Sequence, residues 1–221
     1  MSIADKLVTI AENQEKVFNA GYEKGKQEST DNHYDEFWDV YQTNGTANNY
    51  AYVFAGRGWN SNTYHPKYPL DTGAITNCAA MYLWSGVSEI GSVNFENATS
   101  FNIIFQGCQL LTTIEGIKFP PADIPNGVFD FCYKLKNITV LNTIVGNINF
   151  KDSPLTKASI LSVFNALSTS ATGKTATFKK TAVDAAFETS TGANDGSTSS
   201  EWLAMVDRDT GEKRNWTIAL V

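Results

Sequence analysis

A chain of 221 residues, 42% hydrophobic and 18% charged, carries enough apolar material to fold a core of one or two domains, which excludes global disorder. Its formal charge of −6, from 17 Lys and Arg against 23 Asp and Glu, speaks against nucleic acid as a partner, because affinity for phosphates needs clustered cations. No run approaches the ~18 apolar residues that span a bilayer, so no membrane insertion is expected.

Residues 1–29 begin "MSIADKLVTIAENQEK", which has no basic stretch leading into a continuous apolar one and so does not read as a secretory signal. The expectation is a protein folded in a cytoplasm, with its three cysteines as thiols. Ser2 is a predicted N-cap, and Ile3, Leu7, Ile10, Gln14 and Val17 alternate at spacings of four and three, the seam of a coiled coil. Such a seam needs a partner, since an isolated helix of this length is marginal. It packs on copies of itself, on another protein, or on its own domain. "GYEKGKQEST" then loses the pattern and reads as a hinge.

Residues 30–72 are rich in aromatics set among Asn and Gly, with "YDEFWDVYQ" a short amphipathic helix and "NNYAYVFAG" alternating like a strand. Two readings stand side by side. The segment is a terminal cap for the repeats that begin near residue 73, or Tyr50, Tyr52, Trp59 and Tyr64 form a ligand-binding surface on which sugar rings stack. Asp35, Glu36 and Asp39 include an i,i+4 carboxylate pair, read as a solvated helix face before it is read as an acid–base or cation-binding group.

Residues 73–150 hold an internal repeat. In "IFQGCQLLTTIEGIKF" (104–119) the residues Phe105, Cys108, Leu111, Ile114 and Ile117 find Phe129, Cys132, Leu135, Ile138 and Leu141 at a fixed offset of 24. One unit upstream stand Met81, Trp84, Val87, Ile90 and Val93. β-Branched residues and Gly in "TTIEGIKF" and "NITVLNT" favour short strands over a helix. A period of ~20–29 residues marks units that cover their apolar sides by stacking, like residue over like. A chance match within an ordinary α/β core is the plainer alternative.

Residues 151–221 read as a closing α/β segment: a helix from Thr156 through "KASILSVFNA", a strand in "KTATFKK", short helices in "TAVDAAF" and "SEWLAMV", and a last strand in "NWTIALV". "STSATGKT" (168–175) ends like a phosphate-binding loop, but Ser168 stands where a glycine belongs, and the segment follows a helix instead of preceding one. His33 and His65 are the only histidines, and no nucleophile motif accompanies them. No spacing suggests a metal site, and no cofactor is expected.

The opening helix, "YDEFWDVYQTNG" running into "YVFAGRGW" and "PKYPL", the repeats, and the closing "SPLTKASILSVFNALS", "GKTATFKKTAV" and "NWTIAL" together resemble the BspA-like leucine-rich-repeat proteins encoded by gut bacteriophages and their bacterial hosts. The resemblance covers most of the chain and supplies no catalytic residue. It implies an α+β protein built on a short leucine-rich-repeat β-solenoid of about three 24-residue coils, with a coiled-coil-like N-terminal helix and α/β caps. It further implies a non-enzymatic virion protein of tail or fibre type that adheres to a bacterial receptor, glycan or protein. The expected partner of the N-terminal helix is the chain itself, in a homo-oligomer taken as a trimer, or another virion protein. A purely structural virion subunit is the alternative, and an enzyme acting through Asp35 or Asp39 comes third.

Overall fold

The computed structural model describes residue 55 and residues 75–125, 127–187, 200–206 and 215–221. The expected N-terminal coiled-coil helix, with Ile3, Leu7, Ile10, Gln14 and Val17, lies outside the described residues. So do Tyr50, Tyr52, Trp59 and Tyr64, the carboxylates of the short amphipathic helix, and both histidines.

Three short strands, β1 (Glu89–Asn94), β2 (Thr113–Lys118) and β3 (Asn137–Val140), form a parallel sheet in the order β1-β2-β3. Ile90 pairs with Ile114 and Ile114 with Ile138, and all three are buried, which keeps one face of the sheet dry. A second parallel sheet, in the order β4-β5-β6, joins β4 (Ile148–Phe150), β5 (Lys174–Phe178) and β6 (Trp216–Leu220). Helices make its crossovers, as parallel pairing requires. Helix α1 (Lys157–Ala166) joins β4 to β5, and α2 (Lys180–Ala186) and α3 (Ser200–Val206) lie between β5 and β6.

The expected leucine-rich-repeat solenoid is therefore overturned. The described residues form an α+β fold with two separate three-stranded parallel sheets and few helices. The reason lies in the third unit. The ladder slips between Ile114 and Ile117, so Ile117 pairs with Val140 instead of Leu141. Leu141 turns outward, 50% exposed, and lays its Cδ1 2.7 Å from where a Cβ on Gly116 would stand. The first sheet ends at β3, because α1 takes that edge. The amides of Ile138 and Val140 donate to the hydroxyls of Ser159 and Ser162, both at 2.9 Å, where another strand's carbonyls would otherwise accept. Thr156, the N-cap whose Oγ1 accepts from the Ser159 amide, is tied to the carbonyl of Lys136 by its own N–H.

Two columns of the repeat are also shifted by one residue in the first unit. The ring stacked on Phe105 is Tyr82, at 5.4 Å, and not the side chain of Met81. Cys108 donates to the carbonyl of Tyr82 and Cys132 to that of Phe105, each at 3.0 Å. Cys132 stands to Cys108 as Cys108 stands to Ser85, so Trp84 is not the partner of the cysteines. The cause is a difference in length. The run from Ser85 to Ser88 is one residue shorter than that from Cys108 to Thr112, and Thr112 donates back to the Ser88 carbonyl, restoring the offset of 24.

The core is a row of rings. Phe105 stacks on Phe129 at 5.5 Å, Phe129 on Phe150 at 4.6 Å and Phe150 on Phe178 at 6.3 Å, which carries the row from the first sheet into the second. Phe164 of α1 stacks on Phe178, and Trp202 of α3 packs between Phe164 and Phe187. The three cysteines are buried free thiols. Burial pushes Cys78 and Cys108 up to about 12 and raises Cys132 as well. Among the described residues no helix is long and apolar enough to cross a membrane.

Candidate functional site

The turns that precede β1, β2 and β3 share one backbone shape. Ala80, Ile103 and Gly127 have φ of 55°, 48° and 94°, and four residues later Trp84, Gly107 and Phe131 have 53°, 76° and 63°. The left-handed conformation costs a residue with a Cβ roughly 1–2 kcal/mol, and glycine escapes that cost. Each residue of the second set passes its N–H to the next unit. Trp84 donates to Gln106 O and Gly107 to Asp130 O, both at 2.8 Å. For Phe131 the acceptor is the side-chain Oδ2 of Asp152, again at 2.8 Å, so a carboxylate ends the series.

Glycine at 107 has a second use. A Cβ there would stand 2.8 Å from Cζ3 of Trp84 and closer still to Cδ2 and Cε3, so the indole occupies the space that a side chain in the middle unit would fill. From that place it stacks on Phe131, with centroids 5.8 Å apart and planes 17° from parallel. Tyr133 meets Phe131 edge-on at 6.0 Å. Phe131 and Tyr133 flank buried Cys132, and with Cys132 pointing in both must point out, at 38% and 49% exposure.

Polar groups ring this platform. Lys151 Nζ lies 3.0 Å from Asp130 Oδ1. Hydrogen bonding to Asp130 raises the Lys151 ammonium above its ordinary value, and the charges of Asp130 and Asp152 add to that against partial desolvation. Gln106 Nε2 and Asp130 Oδ2 lie 3.3 and 3.9 Å from the point where a Cβ on Gly127 would stand. Rings exposed on one side, with fixed acceptors and donors at their margin, can hold a ligand that is apolar on one face and polar at its rim.

No other described cluster offers chemistry of this kind. Among the described residues no group of three His, Cys, Asp or Glu is placed to hold a metal ion. The 168–175 segment runs from α1 into β5. Its Ser168 Oγ accepts from the amides of Ser170 and Ala171, and Lys174 Nζ is held by Asp123 at 2.8 Å. The side-chain amide of Asn215 donates from Nδ2 toward the carbonyls of Ser168, Thr169 and Ala171, so the loop is closed by the chain itself.

The sequence pattern draws attention to the aromatics in residues 30–72 and passes over Phe131 and Tyr133. The signal that marks them is "FCYK": aromatics on both sides of a column cysteine. No protein-family model, no curated protein and no solved structure matches the chain.

Proposed function

We propose that this chain is a non-enzymatic adhesion protein of a bacteriophage particle, which displays the Trp84–Phe131–Tyr133 platform to a receptor on a bacterial surface. The observation that carries the binding role is the exposure of Phe131 and Tyr133 as large rings beside a bridged Lys151–Asp130 pair. Large exposed rings mark interaction sites when they cluster, whereas single ones need no explanation. The particle setting rests on the sequence resemblance. In this reading the protein assembles in the bacterial cytoplasm, and residues 1–29 attach it to the particle or to copies of itself.

The test uses the full chain, fluorescently labelled, on intact gut-bacterial cells and, separately, on blotted proteins of disrupted phage particles. Saturable cell binding that Tyr133→Ala weakens supports adhesion. Retention by particle proteins alone would replace adhesion with a structural role in the virion.

A further inference from the structure

The platform's geometry points to a ligand class. Resting on the adhesion reading, we propose that Phe131 and Tyr133 bind an uncharged saccharide, one sugar ring lying on the aromatic faces while its hydroxyls reach Asp130, Asp152 and Lys151.

The first ground is the residue choice at 131. Gly107 holds the same left-handed backbone one unit earlier without strain, so the turn has no need of a side chain there. Phe131 nevertheless places a bulky ring at that point and leaves it 38% exposed. Folding uses the face that lies on Trp84, and the exposed remainder is what a ligand would cover. The ring is also held firmly: its backbone N–H is fixed by Asp152, and its far side lies against Trp84, which is wedged over Gly107. A ring already fixed loses little freedom when a ligand settles on it.

The second ground is the state of the polar groups. Asp130 commits Oδ1 to Lys151, and Asp152 commits Oδ2 to the Phe131 amide. Each carboxylate keeps its other oxygen as an acceptor, and Lys151 keeps further N–H donors. Hydroxyls, which donate and accept at once, match that mixture. Two carboxylates against one ammonium, on a chain of charge −6, repel acidic sugars and phosphates, and this selects an uncharged ring.

The third ground is size. A stable protein interface covers about 800 Å² on each partner. The exposed large apolar residues among those described are Phe131, Tyr133, Leu141 and Val221, and Leu141 packs over Gly116 in the first sheet while Val221 follows β6 in the second. Two adjoining rings set among charges suit a ligand of a few sugar units.

The experiment measures binding of the full chain to an array of malto-, cello-, manno- and chito-oligosaccharides, followed by calorimetric titration of each saccharide retained. Phe131→Gly and Tyr133→Ala should each weaken binding at least about tenfold. Phe131→Gly suits that backbone but gives up the stack on Trp84, so the melting temperature of each variant is read beside its affinity, and Tyr133→Ala, which leaves that stack in place, controls for any loss of folding. A silent array, or binding by both variants unchanged from the parent chain, overturns the proposal. Cell binding that survives periodate and is lost on protease treatment overturns the saccharide while leaving adhesion intact. Absence of cell binding, with saccharides still retained on the array, upholds the ligand class and removes the adhesive role.

Discussion

Gly107 is the single residue on which the platform depends, since it supplies both a backbone conformation and a vacancy. Replacing it by alanine introduces left-handed strain and drives a methyl group into the indole of Trp84. Overpacking of this kind costs about 1–3 kcal/mol. Gly107→Ala should therefore lower the urea midpoint without changing the slope of the transition, and its Trp fluorescence should shift as the indole leaves Phe131. Gly146 has a different constraint, for its Cα runs against the backbone of Ala122 and Asp123, leaving no room for a side chain. Neither requirement can be read from the repeat columns, which record what side chains share and not where one of them must be missing.

At the scale of elements, the first sheet ends at three strands because α1 offers hydroxyls at the right spacing. Ser159→Ala would leave the buried amide of Ile138 without an acceptor, at a cost of about 1–3 kcal/mol. Ser162→Ala should cost less, because the Val140 amide is only part-buried. Hydrogen exchange should accelerate at Ile138 and Val140 in the double variant while Ile114, inside the ladder, keeps its protection. Equal protection throughout would show that the hydroxyls do not hold this edge. The strands themselves are legible in the sequence: Ile90, Ile114 and Ile138 recur at 24 because parallel pairing sets identical residues side by side. Helix α1 is legible as well, from Thr156 and the spacing of Ile160, Val163 and Phe164. The division into two sheets is not, since it depends on a serine whose partner lies 21 residues away and on a one-residue slip at Val140. A fixed offset likewise cannot register the residue missing between Ser85 and Ser88, which moves Met81 and Trp84 out of their expected columns.

For the molecule as a whole, the thiols make stability depend on alkaline pH. Burial holds Cys78 and Cys108 near 12 in the folded protein, against 9.0 for the free group, and raises Cys132 in the same direction. Above pH 9 the unfolded chain releases protons that the folded one keeps, so stability is intact below that value and falls as pH rises toward 12. The slope is ~1.4 kcal/mol per pH unit for each thiol. Denaturation curves between pH 8 and 11 should show this decline, and Cys108→Ala should make it shallower while opening a small cavity.

The ring row from Tyr82 to Phe178 has a further consequence. Phe129 of the first sheet's turn and Phe150 of β4 are its tightest neighbours, at 4.6 Å, so heat cannot loosen one sheet without unstacking the other. Calorimetry should accordingly record one endotherm for the two sheets, with van't Hoff and calorimetric enthalpies in agreement. Phe150→Ala removes the tightest of these contacts while the Ser159 and Ser162 bonds to β3 remain, so its thermogram should keep one peak, moved to lower temperature.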